Sequence, residues 1–525
     1  VVAARSSAGE GARSAALSVS TSPPAPGSLA SVSQTTSSIT LSWSAPVVTT
    51  GSAVTGYKLY IDDGSSGDPS AEVSCGGAAL DTTCTASGLT GGVSYSFEVS
   101  ALSTNGESVT SSVLTQSTAP AVVAASGMVF SSVAMTSMVL TWSAPSGETP
   151  TGYIVYRDDG DSTAMPTPSI VAFEGDALTT TVDGLTGGTT YTYMVEALSG
   201  SGVGDVSGES AQSTTPASPL DLSSVSQTST SISLSWSASV VSGGSAVTSY
   251  QVYRNDGSSA EASLSGTAAH TTADGSTTTA TLSGLSAGML YSFAVSAVSD
   301  AGEGELSSVL AQSSAPGAPA SGPTSVHQTS ASISLSWSAP ASDGDSGADA
   351  TGYRLYNVAG EAPALLFEGA ETAYEQVELS AGTSYSYAVS AVSGAGESPS
   401  TSALVQYTAP AAPTGLVSSA WTTTGFAVTW VAPAVGNGPA VDGYTLYERV
   451  THEMGDVASG GVPDDVLQTM LSQSTDTVVV DTVAYDGRSS TAVSTTLSGL
   501  SGGVSYDYVV AARSSAGEGA RSAAL

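Results

Sequence analysis

One pattern recurs five times along the 525 residues, and it constrains the fold more than any other feature of the sequence. A Trp sits in an alternating run, at Trp43, Trp142, Trp236, Trp337 and Trp430. A Tyr-x-x-Tyr follows 11 to 16 residues later, at Tyr57/Tyr60, Tyr153/Tyr156, Tyr250/Tyr253, Tyr353/Tyr356 and Tyr444/Tyr447. A Leu then precedes a further Tyr by six positions, at Leu89/Tyr95, Leu185/Tyr191, Leu285/Tyr291, Leu379/Tyr385 and Leu500/Tyr506. That Tyr opens another alternating run such as YSFEVSA, and each unit closes at a Pro. Self-similarity at a regular period means a chain built of like units.

Within a unit, Ile39, Leu41 and Trp43 alternate with polar residues, as do Tyr95, Phe97, Val99 and Ala101. Period-two alternation turns one face of each strand inward. Clusters of Gly, Ser, Asp and Asn, as in RDDGD and RNDGS, supply the turns. The runs are β-branched and too often broken by Gly and Pro for helix. Several short strands at this spacing predict an all-β chain of two-sheet antiparallel sandwiches.

On these residues the units resemble fibronectin type III domains, which are immunoglobulin-like sandwiches. The resemblance implies that the Trp lies on strand B in the core and the Tyr-x-x-Tyr on strand C. The Leu and its following Tyr would form the E–F corner and open strand F. The resemblance covers essentially the whole chain and says little about function, because this sandwich hosts many roles. The closing prolines Pro23, Pro120, Pro216, Pro316 and Pro410 are 97, 96, 100 and 94 residues apart, each suited to one sandwich. The expected domains are therefore 23–119, 120–215, 216–315, 316–409 and 410–525. Short Pro-containing linkers such as QSTAPA predict a semi-rigid rod. At about 35 Å per domain, five in line would approach roughly 170 Å.

Residues 1–17 and 509–525 both read VVAARSSAGEGARSAAL. In the fifth unit this stretch is the second half of strand F, the F–G turn and strand G. Residues 1–22 are thus expected to be the F–G tail of a preceding repeat domain. The natural unit is then a super-repeat of five domains and 508 residues, the offset between Val1 and Val509. A hairpin alone cannot bury its apolar face, so residues 1–17 should complete a sandwich of the preceding period. The rival reading is donor-strand exchange with the open sheet edge of another subunit.

Charge narrows the classes of partner. There are 45 acidic residues against 10 basic ones, a formal charge of −35, and Lys58 is the single lysine. Neither nucleic acid nor an anionic membrane surface is an expected partner, since little here could neutralise phosphates. No run of 18 apolar residues marks a membrane span, and VVAARSS reads as strand interior, not as a signal peptide. At 40% hydrophobic the chain can still bury cores.

Candidate sites are few. Cys75 and Cys84, the two cysteines, flank a Gly-Gly turn and could face each other across a hairpin as a disulfide in an oxidising compartment, or remain two buried thiols. A metal site there would need further ligands. His270, His327 and His452 fall in three different domains and form no catalytic arrangement. Acidic turns (Asp62, Asp63, Asp68; Asp158, Asp159, Asp161) loosely resemble calcium ligands but lack the loop spacing, and read as Asx turns. Trp421 stands where other units carry Gln34, Val133, Gln227 and Gln328, so it is expected to be exposed. It would serve as an interface anchor or a sugar-stacking platform, or pack on a local insertion. That insertion, at about 448–490, contains PDDVLQTMLSQ, where Val466, Leu467, Met470 and Leu471 share a helical face. A short amphipathic helix or an extra hairpin is expected there, for lateral contacts or as a plain loop. Ser and Thr flank many prolines, which fits O-glycosylation at no particular residue.

No catalytic residues and no cofactor are expected. The expected role is structural: the shaft of an extracellular or cell-surface filament, with copies of itself, adjoining repeats and glycans as partners. The alternatives are the stalk of a giant adhesin and the spacer region of a secreted polysaccharide-active enzyme.

Overall fold

Alternation along the chain becomes alternation of burial. In Ser38–Ser44 of the computed structural model, Ile39, Leu41 and Trp43 are buried and the residues between them face outward. The structure describes residues 1–62, 69–158, 170–255, 264, 267–341, 349–453 and 477–525. Among them the sole helical element is a three-residue 3-10 turn, Ala125–Gly127.

In the first domain, Gly27–Gln34 pairs with the Trp strand Ser38–Ser44, which pairs with Thr83–Ser87. The facing sheet is built on the Tyr strand Val54–Ile61 and the corner strand Ser94–Ser103, with Ala71–Val73 on one edge and Leu114–Ser117 on the other. All ladders are antiparallel. Domains two to four repeat this three-plus-five arrangement. The fifth keeps the three-stranded sheet, but its second sheet has four strands among the described residues. Its Tyr strand Gly443–Glu453 and partner Thr477–Gly487 are long, pairing out to Glu453 and Thr477. Arg449 holds Asp481 there at 2.9 and 3.0 Å, and Arg521 joins them. Ala3–Ser6 and Gly9–Arg13 form a separate, almost wholly exposed hairpin.

Among the described residues each domain has one core cluster built on its own Trp, and the fifth has a second, small cluster of Tyr447, Val509 and Ala511. Each Trp meets the first Tyr of its Tyr-x-x-Tyr edge to face, with ring centroids 5.3 to 6.0 Å apart and planes at 61 to 68°. Such pairs add stability beyond their area, about 0.5–1.5 kcal/mol. The corner Tyr hydroxyl accepts the amide of the residue five positions before it: Thr90, Thr186, Ser286, Ser380 and Ser501, at 2.8 to 3.0 Å. The same bond closes the corner in all five domains.

Cys75 and Cys84 are bonded, with Cα atoms 5.3 Å apart. Their setting differs from a hairpin. Cys75 follows Ala71–Val73, on the five-stranded sheet, and Cys84 lies on Thr83–Ser87, on the three-stranded one. The bond therefore ties the two sheets of the first domain. Closing so short a loop contributes about 2–3 kcal/mol by chain entropy. Reduction should lower the melting of the first domain alone, as should paired Cys75→Ala and Cys84→Ala. Calorimetry with and without dithiothreitol checks this, and an unmoved first-domain transition would count against it.

Candidate functional site

The feature shared by all four interdomain boundaries is a buried linker. Thr118–Ala119, Thr214–Thr215, Ser314–Ala315 and Thr408–Ala409 are at most 3% exposed, and the prolines after them are buried too. A connecting segment normally runs over the surface, because its backbone groups need water. Here they find partners. The amide of Ala119 donates to Thr35, that of Thr215 to Ala134, that of Ala315 to Thr228 and that of Ala409 to Thr329, at 3.0 to 3.3 Å. Their carbonyls accept from Gly92, Gly188, Gly288 and Gly382 at 2.8 to 3.0 Å. The preceding hydroxyl clasps the corner: Thr118, Thr214, Ser314 and Thr408 each donate to the carbonyl of Thr90, Thr186, Ser286 or Ser380 at 2.6 to 2.8 Å.

The corner glycine then reaches into the next domain. The Gly92 carbonyl accepts the Glu148 amide at 2.6 Å. Gly188 accepts from Ser242 and Gly244 at 2.8 and 3.1 Å, and Gly382 from Gly436 and Gly438 at 3.0 and 2.9 Å. All the donors lie in the loop after the Trp strand. At the third boundary that loop includes residues 342–348, which lie outside the described residues. These glycines have φ of 60 to 71°, a left-handed conformation that a Cβ would strain. Side chains reinforce two boundaries: Thr190 donates to the Gly243 carbonyl, and the Ser384 amide to Asn437 Oδ1, both at 2.9 Å.

A second contact lies across the linker. At the first and third boundaries the hairpin turn after the corner strand meets the first turn of the domain before it. A Cβ on Gly202 would stand 3.7 Å from the Gln34 carbonyl oxygen, and one on Gly396 3.5 Å from that of Gln227. Thr36 donates to the Asp205 carboxylate. Between the first and second domains both contacts flank the buried linker, and together they oppose bending there.

The repeating unit is matched by a known family. The fibronectin type III domain model matches residues 23–117, 123–214, 217–313, 317–407 and 411–525. The chain belongs to the fibronectin type III family. Among curated proteins, these domains are 32% identical over 307 residues to exoglucanase B of Cellulomonas fimi, covering 54% of this chain and 24% of that one. Chitinase A1 of Niallia circulans is 36% identical over 181 residues, covering 32% and 22%. Endoglucanase B of Cellulomonas fimi is 32% identical over 291 residues, covering 51% and 25%. The chain thus spans about a quarter of the length of these relatives. A two-domain fibronectin type III segment of chicken tenascin, 22% identical, covers 36% of this chain and 99% of its own, with a TM-score of 0.20.

The fibronectin type III frame also places the side chains singled out in the sequence. Trp421 is 68% exposed and stacks on Phe426, with centroids 4.7 Å apart. It lines a shallow cleft with Phe426, Leu500, Gly503 and Tyr506. Val466, Leu467, Met470 and Leu471 lie outside the described residues, as do Asp63, Asp68, Asp159 and Asp161. Asp62 and Asp158 are buried, and their Oδ1 atoms accept the amides of Ser96 and Thr192 at 3.0 and 3.1 Å. They extend the Tyr strand by one rung across to the corner strand. His270 and His327 lie on separate strands, and no group of three metal-ligating residues occurs among the described residues.

A carboxylate in the closing hairpin is a feature that sequence reasoning passed over, although the Gly-Glu pair recurs. The second Tyr of the motif donates to it in four domains: Tyr60 to Glu107, Tyr253 to Glu303, Tyr356 to Glu397 and Tyr447 to Glu518, at 2.5 to 2.8 Å. The Ser100 hydroxyl, then Tyr60, hold the Glu107 carboxyl below the usual carboxylate range. Burial, and then the bond to Glu303, pushes Tyr253 up to about 12. Both shifts lead away from neutrality, which suits a structural clamp and not proton transfer.

Proposed function

We propose that this chain is the structural repeat unit of an extracellular or cell-surface filament, of the flagellar-hair, sheath or fibril type. It catalyses no reaction, and its partners are other copies of itself and adjoining repeats. The sealed linker carries this reading. A shaft must transmit position and load along its length, and a hinged string of sandwiches does neither. The large negative charge supports the same role, since it limits accidental association of a long, sparsely charged chain.

Electron microscopy of the purified chain tests the proposal. Straight rods that associate side by side, with an axial repeat of five domains, are the expected result. Rods that stay single at every concentration would overturn the filament and leave a stalk. The names of the relatives favour a second reading, a non-catalytic stretch of a secreted polysaccharide-active enzyme. Cosedimentation with cellulose and chitin separates the two: the filament reading expects the same pelleted fraction with and without polysaccharide, and the enzyme reading expects polysaccharide to raise it.

A further inference from the structure

The fourth boundary is sealed by a loop that carries an Asn-Gly pair. The chain has four asparagines, and two of them, Asn105 and Asn437, precede a glycine. Asn437 Oδ1 accepts the Ser384 amide at 2.9 Å, and the Gly438 amide donates to the Gly382 carbonyl at 2.9 Å. The Gly436 amide donates to the same carbonyl at 3.0 Å. Packing requires glycine at 438: a Cβ there would stand 2.5 Å from the Gly382 oxygen and 2.7 Å from its carbon. Gly147 and Gly244 are held alike at the first two boundaries, where a Cβ would stand 2.3 Å from the oxygen of Gly92 or Gly188. They follow Ser146 and Gly243, which have no side-chain amide. The fourth boundary therefore places a reactive pair where the first two place inert ones.

Asparagine is among the chemically labile residues, and a following glycine leaves its own amide nitrogen unhindered. Once that amide loses its proton, the Gly438 nitrogen can attack Asn437 Cγ. A C–N bond forms, the Cγ–Nδ2 bond breaks, and ammonia leaves behind a five-membered succinimide. Water then opens the ring at either carbonyl, giving aspartate or isoaspartate. The net change is gain of one water and loss of one ammonia, with no oxidant or cofactor. Asn437 is exposed, so water and base reach it. The attacking amide is held back, because its proton is donated to Gly382 while the boundary is closed. Amide hydrogen exchange requires loss of the same proton, so both reactions wait for local opening.

We infer that Asn437 is a site of spontaneous modification, held unreactive by the closed fourth boundary and converted to isoaspartate once that boundary opens. The product does not fit the closed geometry. Isoaspartate routes the backbone through Cβ and Cγ, which adds one methylene between Gly436 and Gly438. Their two amides then no longer converge on the Gly382 carbonyl, and the oxygen that met Ser384 becomes a peptide oxygen. Opening is thereby recorded in a covalent bond, and the rod keeps a bend where it was strained. This holds whatever the rod is used for, since it needs only the sealed linker.

Peptide mapping by mass spectrometry, after incubation of the 525-residue chain in mildly alkaline buffer, tests the site. Deamidation at Asn437 should run about tenfold or more slower in the folded chain than in the same chain unfolded in urea. Gly382→Val should recover most of the unfolded rate, because a Cβ there stands 3.3 Å from the Val435 Cα and the left-handed φ of 60° disfavours it. Folded and unfolded rates that agree would overturn the protection. Aged chains rich in isoaspartate should exchange the Ser384 and Gly436 amides about tenfold faster than fresh ones. Fresh Asn437→Asp adds the charge without the extra methylene and should keep slow exchange. Slow exchange in the aged chain, or fast exchange in Asn437→Asp, would overturn the isoaspartate lock.

Discussion

Replacing Trp236 by alanine should unfold the third domain while its four neighbours stay folded. Trp236 is 5% exposed and packs against Tyr250 edge to face, at the centre of a cluster that includes Ile232, Leu234, Phe293 and Val295. Removing so large a buried side chain costs about 3–5 kcal/mol, part transfer and part cavity. A single domain commonly has only about 5–15 kcal/mol in hand. The loss should stay local, because the five clusters are separate and the domains share linkers, not cores. Trp236→Phe should cost much less. The indole nitrogen is buried without a hydrogen-bond partner, as it is in the other four core tryptophans, so no such bond is lost. Calorimetry should show one transition shifted or missing among five. A chain that melts as a single unit, or a phenylalanine variant as damaged as the alanine one, would contradict this account.

How much was legible beforehand depends on where each signal lies. Trp236, Tyr250 and Leu285/Tyr291 announce the sandwich because side-chain type itself does the work, and each recurs at a regular spacing. Asp62 is different. Its partner is the Ser96 amide, 34 positions away, and a local reading of DDG can only offer a turn or a cation loop. The cysteines show the same limit: nine positions say that a bond can close, but not that the chain changes sheets between them. The junction was hardest, because Gly92, Gly188 and Gly382 contribute only backbone. Their recurrence two residues after the corner Thr or Ser was the available sign, and a turn explains it equally well.

The largest effect on shape is expected from Gly188→Val. Gly188 has φ of 67°, and a Cβ there would stand 2.9 Å from the Val240 carbonyl and 3.1 Å from the Val241 Cα, both backbone of the following domain. The side chain cannot fit without driving the third domain off, which also breaks the bonds from Ser242 and Gly244. Left-handed strain adds about 1–2 kcal/mol within the second domain. Gly184 supplies the matched control. It has φ of 71° in the same corner, but a Cβ there meets nothing within 4 Å. Gly184→Val should carry the same backbone strain and leave the boundary sealed. Small-angle scattering should then show the longest dimension of the Gly188 variant falling by ~30 Å, on the order of one domain length, as the rod bends at one point. The Gly184 variant should keep the parent profile at a slightly lower melting temperature. If both variants scatter alike, stiffness comes from the prolines of the linkers, and the corner glycine is only a turn.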